Sequence, residues 1–257
     1  MSVKKGLLIG INYTGTENQL RGCINDTNNL YDFFISNNIF DEQDLTFMND
    51  FTKSKLYPTK SNILNQLQKL VDFSNKNKDK QVKLFFSYSG HGIRVRDNNK
   101  DELDKYDEAL CPIDFSKSGV IVDDDIKSKF IDLLPSNVEL TIMIDACHSG
   151  TCIDLQYNYD FRKDNYIIKN PNQRLTKCNV ISISGCLDEQ TSADACIDNK
   201  YQGAMTASFL NCYKKNISVK TLLINMCAWL KQNKFTQISQ LSSGKLIKPE
   251  DYFILNY

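Results

Sequence analysis

Leu140-Thr141-Ile142-Met143-Ile144-Asp145-Ala146-Cys147-His148-Ser149-Gly150 is an apolar run that ends on an acid, a thiol, an imidazole and a glycine. A short unbroken run of this kind predicts a strand over 140–145, buried on both faces as in parallel sheets. A second run, Val82 to Phe86, leads into Ser87-Tyr88-Ser89-Gly90-His91-Gly92. Each strand delivers a reactive side chain to the carboxyl end of a sheet, where open α/β folds place their sites.

The pattern outward from these two runs alternates strand and helix. Strands are expected over 6–12, 44–48, 82–87, 140–145 and 179–184, with a sixth over 237–241. Helices are expected over 25–37, 61–73, 125–134, 204–213 and 219–232, with Thr59 or Ser61 capping the second and Pro135 stopping the third. The polar stretch 156–177 reads as a long surface loop. Strands alternating with helices predict an α/β fold whose largely parallel sheet is covered on both faces. We read one domain, 1–257, with a larger part to about 155, the loop, and a smaller part from about 178.

Thirty-one basic residues balance 31 acidic ones. Zero net charge gives no general attraction to nucleic acid or anionic membrane. No apolar run approaches the roughly 20 residues that span a bilayer, and the first residues lack a signal-peptide pattern. The nine cysteines are odd in number and contain no C-x-x-C pair. That usage suits a reducing, cytoplasmic setting rather than a disulfide framework.

A histidine on one strand end and a cysteine on the next is the minimal apparatus for thiol catalysis. Few cysteine thiols are ionised at neutral pH without a neighbouring base. His91 suits that role better than His148, because neighbours along a chain point apart. The backbone N–H groups of Gly92 and Cys147 would form an oxyanion hole. Gly90 and Gly150 would permit tight turns at positive φ. Cys147, His148 and Cys152 match no common zinc spacing.

At these residues the chain resembles the metacaspases, within the caspase-like clan of cysteine peptidases. Similar stretches include Gly6 to Tyr13, Leu20 to Thr27, the two catalytic segments, Tyr106-Asp107-Glu108, Val122 to Asp125, Ile183 to Cys186, Gln190 to Asp194 and Gly203 to Thr206. His91 precedes Cys147 by 56 positions, close to the spacing of about 50 in caspases. The resemblance implies a caspase-like α/β sandwich and endopeptidase cleavage after Arg or Lys. Cys147 would be the nucleophile and His91 its acid/base partner. Asp145 and Asp26 would supply the pocket acids, with Cys23 and Ser89 on its wall. Acids there make electrostatic sense, since a carboxylate pairs with a guanidinium bidentately. The alternative for Asp26 is a helix cap.

The resemblance also maps activating Ca²⁺ onto Asp107, Asp123, Asp124 and Asp154. Calcium takes several oxygen ligands, but acids at a helix start are also favoured by the macrodipole. It implies polypeptide substrates and a monomer. The matching sequence begins almost at Met1, so recruitment through a proline-rich or zinc-finger prodomain is not expected. No long linker divides the two parts, yet Arg162, Lys163, Lys169, Arg174 and Lys177 offer sites for limited self-cleavage in the loop. Two rivals are a legumain-like peptidase with another specificity and a non-catalytic caspase-like interaction module. A nucleotide-binding domain is disfavoured, because the segment from Gly10 lacks a phosphate-binding glycine pattern.

Overall fold

The computed structural model describes residues 2–96, 106–146, 153–163, 166–186, 195–197 and 200–253. In chain order the strands and α-helices are β1 (Ser2–Gly10), α1 (Cys23–Ser36), β2 (Leu45–Asn49), α2 (Lys60–Lys76), β3 (Gln81–Ser89), β4 (Gly92–Arg96), β5 (Tyr106–Leu110), α3 (Phe115–Ser118), β6 (Ile121–Val122), α4 (Asp123–Lys129), β7 (Val138–Asp145), β8 (Tyr157–Tyr159), β9 (Ile167–Lys169), β10 (Asn179–Cys186), β11 (Ala195–Ile197), β12 (Lys200–Gln202), α5 (Ala204–Cys212), α6 (Val219–Gln232) and β13 (Ile238–Ser243).

The central sheet has eight strands in the order β2-β1-β3-β7-β10-β13-β8-β9. The first five are mutually parallel and the last three add antiparallel. Alternate residues of the parallel strands feed two cores. Leu7, Ile9, Leu84, Phe86, Ile142 and Ile144 pack beneath Ile63, Leu67, Leu70 and Val71 of α2 and Ile126 of α4. Leu8, Phe85, Met143, Ile181 and Ile183 pack beneath α1, α5 and α6 through Leu30, Phe34, Met205, Phe209, Leu222 and Met226. Burial on both faces is why these strands read as unbroken apolar runs rather than alternating ones.

The expected elements are present, with shifted ends. Thr59 caps α2, its side chain accepting the Asn62 N–H. The expected helix over 125–134 is instead α4 followed by a separate 3-10 turn, Ile131–Leu133. Two expectations need correction. The stretch 156–177 is not only loop: β8 and β9 pair there and extend the sheet past β13. A second sheet, β4-β5-β6, stands between β3 and β7 in sequence, where no strand was expected. Its strands are short and polar, and they are held by cross-strand pairing, Arg94 on β4 lying 3.4 Å from Glu108 on β5. Among the described residues no helix is long and apolar enough to cross a membrane.

Candidate active site at the carboxyl edge of the sheet

Ser89 on β3 and Asp145 on β7 are register partners at the carboxyl edge. The Gly90 N–H donates to the Asp145 carbonyl at 3.3 Å and ties the two strand ends together. His91 follows Ser89 by two positions, and Cys147 follows Asp145 by two. Cys147, with His148 and Gly150, lies outside the described residues.

His91 is held from two sides. Its backbone N–H donates to the Tyr13 hydroxyl at 3.0 Å, and its carbonyl accepts the Cys111 N–H and the Tyr88 hydroxyl. Tyr13 and Tyr88 are buried, and their hydroxyls lie 3.0 Å apart on the Cys111 carbonyl. Burial pushes both phenols well above their ordinary pKa, so they act as neutral clamps. Gly90 is required here for close approach, not for the positive φ expected of it. A Cβ at that position would fall 2.7 Å from the Tyr88 hydroxyl and 3.0 Å from that of Tyr13.

The His91 ring tilts against Tyr13, centroids 4.8 Å apart, and its Nε2 lies 2.8 Å from the Asn18 carbonyl. With Nε2 donating to that carbonyl, Nδ1 is left as the basic nitrogen. The loop carrying Asn18 is fastened by Asp50, whose carboxylate accepts the N–H groups of Asn12 and Thr14. Gly92 opens β4, opposite Leu110, and is buried.

Beside this lies a pair of acids. Asp26 on α1 and Asp145 on β7 are each 1% exposed. The cap alternative for Asp26 fails, because α1 already begins at Cys23 with Gly22 before it. Its carboxylate instead accepts the Ser89 hydroxyl at 2.5 Å and the Gly203 N–H at 2.7 Å. Asp145 Oδ2 accepts the Thr206 N–H at 2.8 Å, at the start of α5, where the helix dipole favours an anion. A Cβ on Gly203 would lie 2.1 Å from Asp145 Oδ2 and 2.7 Å from Asp26 Oδ2, so both acids press on that glycine. Burial and the Asp145 charge raise the Asp26 carboxyl well above the carboxylate range. Burial raises Asp145 to about 6, against the pull of its hydrogen bonds at Thr206. No ion pair to either acid is present among the described residues. Cys23 is fully buried three residues before Asp26, in the cluster that includes Tyr13 and Tyr88.

A second acidic group sits at the junction of β5 and α4. Asp107, Glu108 and Asp123 are all buried. The Asp123 carboxylate accepts the N–H groups of Glu108 and Asp124. Burial pushes its carboxyl up to about 8, with the charges of Glu108 and Asp107 adding to the rise. Asp154 is buried with φ of 23°. Among the described residues no group of three or more His, Cys, Asp or Glu side chains is arranged to hold a metal ion.

Comparison with known proteins places this architecture. A family model described as "Metacaspase, peptidase C14 domain" matches residues 4–156. The chain belongs to the metacaspase family. It is 36% identical to Metacaspase-1 of Kluyveromyces lactis over 98% of its own length and 68% of that protein. It is 34% identical to Metacaspase-1A of Neurospora crassa over 98% of its length and 65% of that protein. The chain thus spans about two thirds of these relatives. A crystal structure of a Geobacter sulfurreducens protein superposes with a TM-score of 0.62 at 21% identity, covering 96% of this chain and 95% of that one. Metacaspases are cysteine-type peptidases, so the chain has the caspase-like α/β fold and acts on polypeptides.

Several residues of this metacaspase's candidate site carried no assigned role in the sequence. Tyr13 and Tyr88 sit within the similar stretches, but their joint grip on His91 needs β1, β3 and the Cys111 turn together. Asn18 contributes only a carbonyl, which no side-chain pattern announces. Glu108 follows Asp107 directly, and its acidity was the signal available.

Proposed function

We propose that this metacaspase is a calcium-dependent endopeptidase that cleaves after Arg or Lys, with Cys147 as nucleophile and His91 as acid and base. The observation that carries the reading is the Asp26–Asp145 pair: two fully buried carboxylates beside the histidine, with no cation among their described partners. Such a pair is costly unless protonated or matched by a cation. A P1 guanidinium or ammonium entering from the sheet edge would relieve it.

In the proposed reaction His91 Nδ1 takes the Cys147 proton, and the thiolate attacks the scissile carbonyl carbon. The oxyanion is held by the N–H groups of Gly92 and Cys147. The C–N bond then breaks as His91 gives the proton to the leaving amine, leaving a thioester that water hydrolyses to the acid and free thiol. The Asn18 carbonyl keeps the imidazole in the working tautomer.

Calcium would bind at the junction of β5 and α4, where acids gather although no three of the described ones are arranged as a ligand set. The set that the family resemblance maps is Asp107, Asp123, Asp124 and Asp154, all hard oxygen donors, and the structure adds buried Glu108, whose N–H donates to Asp123. Burial and the charges of Glu108 and Asp107 raise the Asp123 carboxyl, so acidity here exceeds what Arg94, paired with Glu108, balances. When bound, Ca²⁺ supplies charge that lets these acids ionise together. A monomer is favoured because the free side of β13 is taken by β8. Self-cleavage is best placed at exposed Arg174, in an irregular segment. Arg162 and Lys163 are both paired with Asp160.

The test is release from matched fluorogenic peptides ending in Arg, Lys, Asn or Asp, with and without calcium. The wild type is expected to cut after Arg or Lys when calcium is present, and Cys147→Ala to lose at least about a thousandfold in turnover. Cleavage after Asn or Asp would discard the basic pocket, and an active Cys147→Ala would discard the nucleophile.

A further inference from the structure

Gln237 stands immediately before β13 and has a buried Nε2 with no hydrogen-bond partner. Asp145 Oδ1 is in the same condition. The two belong to one place. The Gln237 amide lies close enough to Asp145 to favour its ionised form, although no hydrogen bond is closed between them. It reaches across Gly185 on β10. A Cβ there would sit 1.9 Å from Gln237 Nε2 and 3.6 Å from the Met205 Cβ, so glycine leaves the amide its path.

The acid pair has four carboxylate oxygens. Asp26 Oδ1 accepts the Gly203 N–H, Asp26 Oδ2 the Ser89 hydroxyl, and Asp145 Oδ2 the Thr206 N–H. Asp145 also lies near the Thr206 hydroxyl and the Met205 N–H, yet its Oδ1 closes no hydrogen bond and is left for an incoming donor. One oxygen suits an ammonium, which is a compact point charge. A guanidinium presents five N–H donors in a plane and favours two acceptors side by side. The neighbouring amide can supply the second. A half-turn of its terminal torsion exchanges Nε2 for Oε1, and the two ends differ little in shape.

We propose that Gln237 is a specificity-determining residue of the P1 pocket, its amide facing Asp145 Oδ1 when the pocket is empty and turning its oxygen to an entering guanidinium, so that Arg is preferred to Lys. This rests on the basic-pocket reading above. Asp145 supplies the charge, and Gln237 supplies the neutral acceptor that tells a planar cation from a point cation.

The experiment compares kcat/KM on peptides identical except for Arg or Lys at the cleavage position, for the wild type, Gln237→Met and Gln237→Glu. Gln237→Met keeps the length and removes the acceptor. Its kcat/KM after Arg is expected to fall roughly tenfold, the worth of one hydrogen bond to a charged group, with a smaller fall after Lys. Gln237→Glu restores an acceptor and is expected to recover cleavage after Arg. An unchanged Arg/Lys ratio in a Gln237→Met enzyme that melts at the wild-type temperature overturns the inference. If that variant does not fold, Gln237→Ala, which also removes the acceptor, takes its place, and an unchanged Arg/Lys ratio there overturns the inference instead. Failure of the pocket reading looks different, because the wild type itself would then cut after neither Arg nor Lys.

Discussion

Among the described residues two groups of buried acids stand out, and they are built differently. Asp26 and Asp145 come from elements far apart in sequence, α1 and β7, and meet at the carboxyl edge of the sheet. Their partners are neutral donors, among them the Ser89 hydroxyl and the N–H groups of Gly203 and Thr206, the last at the start of α5. Asp107, Glu108 and Asp123 come from neighbouring elements, β5 and α4, and already contain a cation, since Arg94 pairs with Glu108. Neutral donors fix a carboxylate without satisfying its charge, which leaves the first group dependent on something that arrives. The second is partly neutralised from within, and its remaining excess is suited to a tunable ion. On the proposed function, the contrast would separate a substrate pocket from a regulatory site by the source of countercharge.

The sharpest way to break that comparison is Asp145→Asn. Asparagine keeps the shape and an oxygen for the Thr206 N–H, but it removes the charge. Loss of one partner from a buried charge pair predicts a fall of at least about a hundredfold in kcat/KM after Arg or Lys. The same variant should be more stable than wild type at neutral pH. The folded state holds the Asp145 proton more tightly, about 6, than the unfolded chain does, near ~3.9. Protonation therefore favours folding, and the destabilisation from Asp145 is absent below ~3.9 and grows as pH rises through about 6. Melting curves should show the variant above wild type at pH 7 to 8, with the gain vanishing near ~pH 4. A less stable variant at neutral pH would mean that a cation already satisfies the pair.

Asp107→Asn probes the other group. It should raise the calcium concentration for half-maximal activity at least about tenfold while leaving the Arg/Lys ratio alone. Titration of activity with calcium on both peptides reads this directly, and a changed ratio with unchanged calcium response would merge the two regions. A smaller effect is expected from Asp50→Ala. Freeing the Asn12 and Thr14 N–H groups loosens the loop that sets the Asn18 carbonyl on His91. Turnover should drop about tenfold with KM nearly constant, because the base is displaced rather than the pocket. A rise in KM alone would place Asp50 in substrate binding.

Much of this was readable from residue order. The apolar runs at 82–86 and 140–144 announced their strands because both faces are buried, and α6 has the bounds its periodicity indicates. The β4-β5-β6 sheet was not readable. Its strands carry Arg94, Glu108 and Asp107 at positions where local pattern suggests exposed chain, and antiparallel pairing between successive strands stabilises them. The pair β8 and β9 was hidden likewise, three-residue strands within a polar stretch that gain their place only by docking on β13.

By itself the sequence determined the α/β order, the two strand ends that bear Ser89 and Asp145, and membership in a family of thiol peptidases. These depend on local pattern and on short motifs, which survive without knowledge of what lies across the sheet. Tertiary structure alone decided that Asp26 meets Ser89 and Gly203 instead of capping a helix, that Tyr13 and Asn18 grip the histidine, and that the Gln237 amide comes near Asp145. Each of those is a contact between residues far apart in the chain. What fixes it is register and packing, which the chain acquires only when β1, β3, β7 and β10 lie side by side.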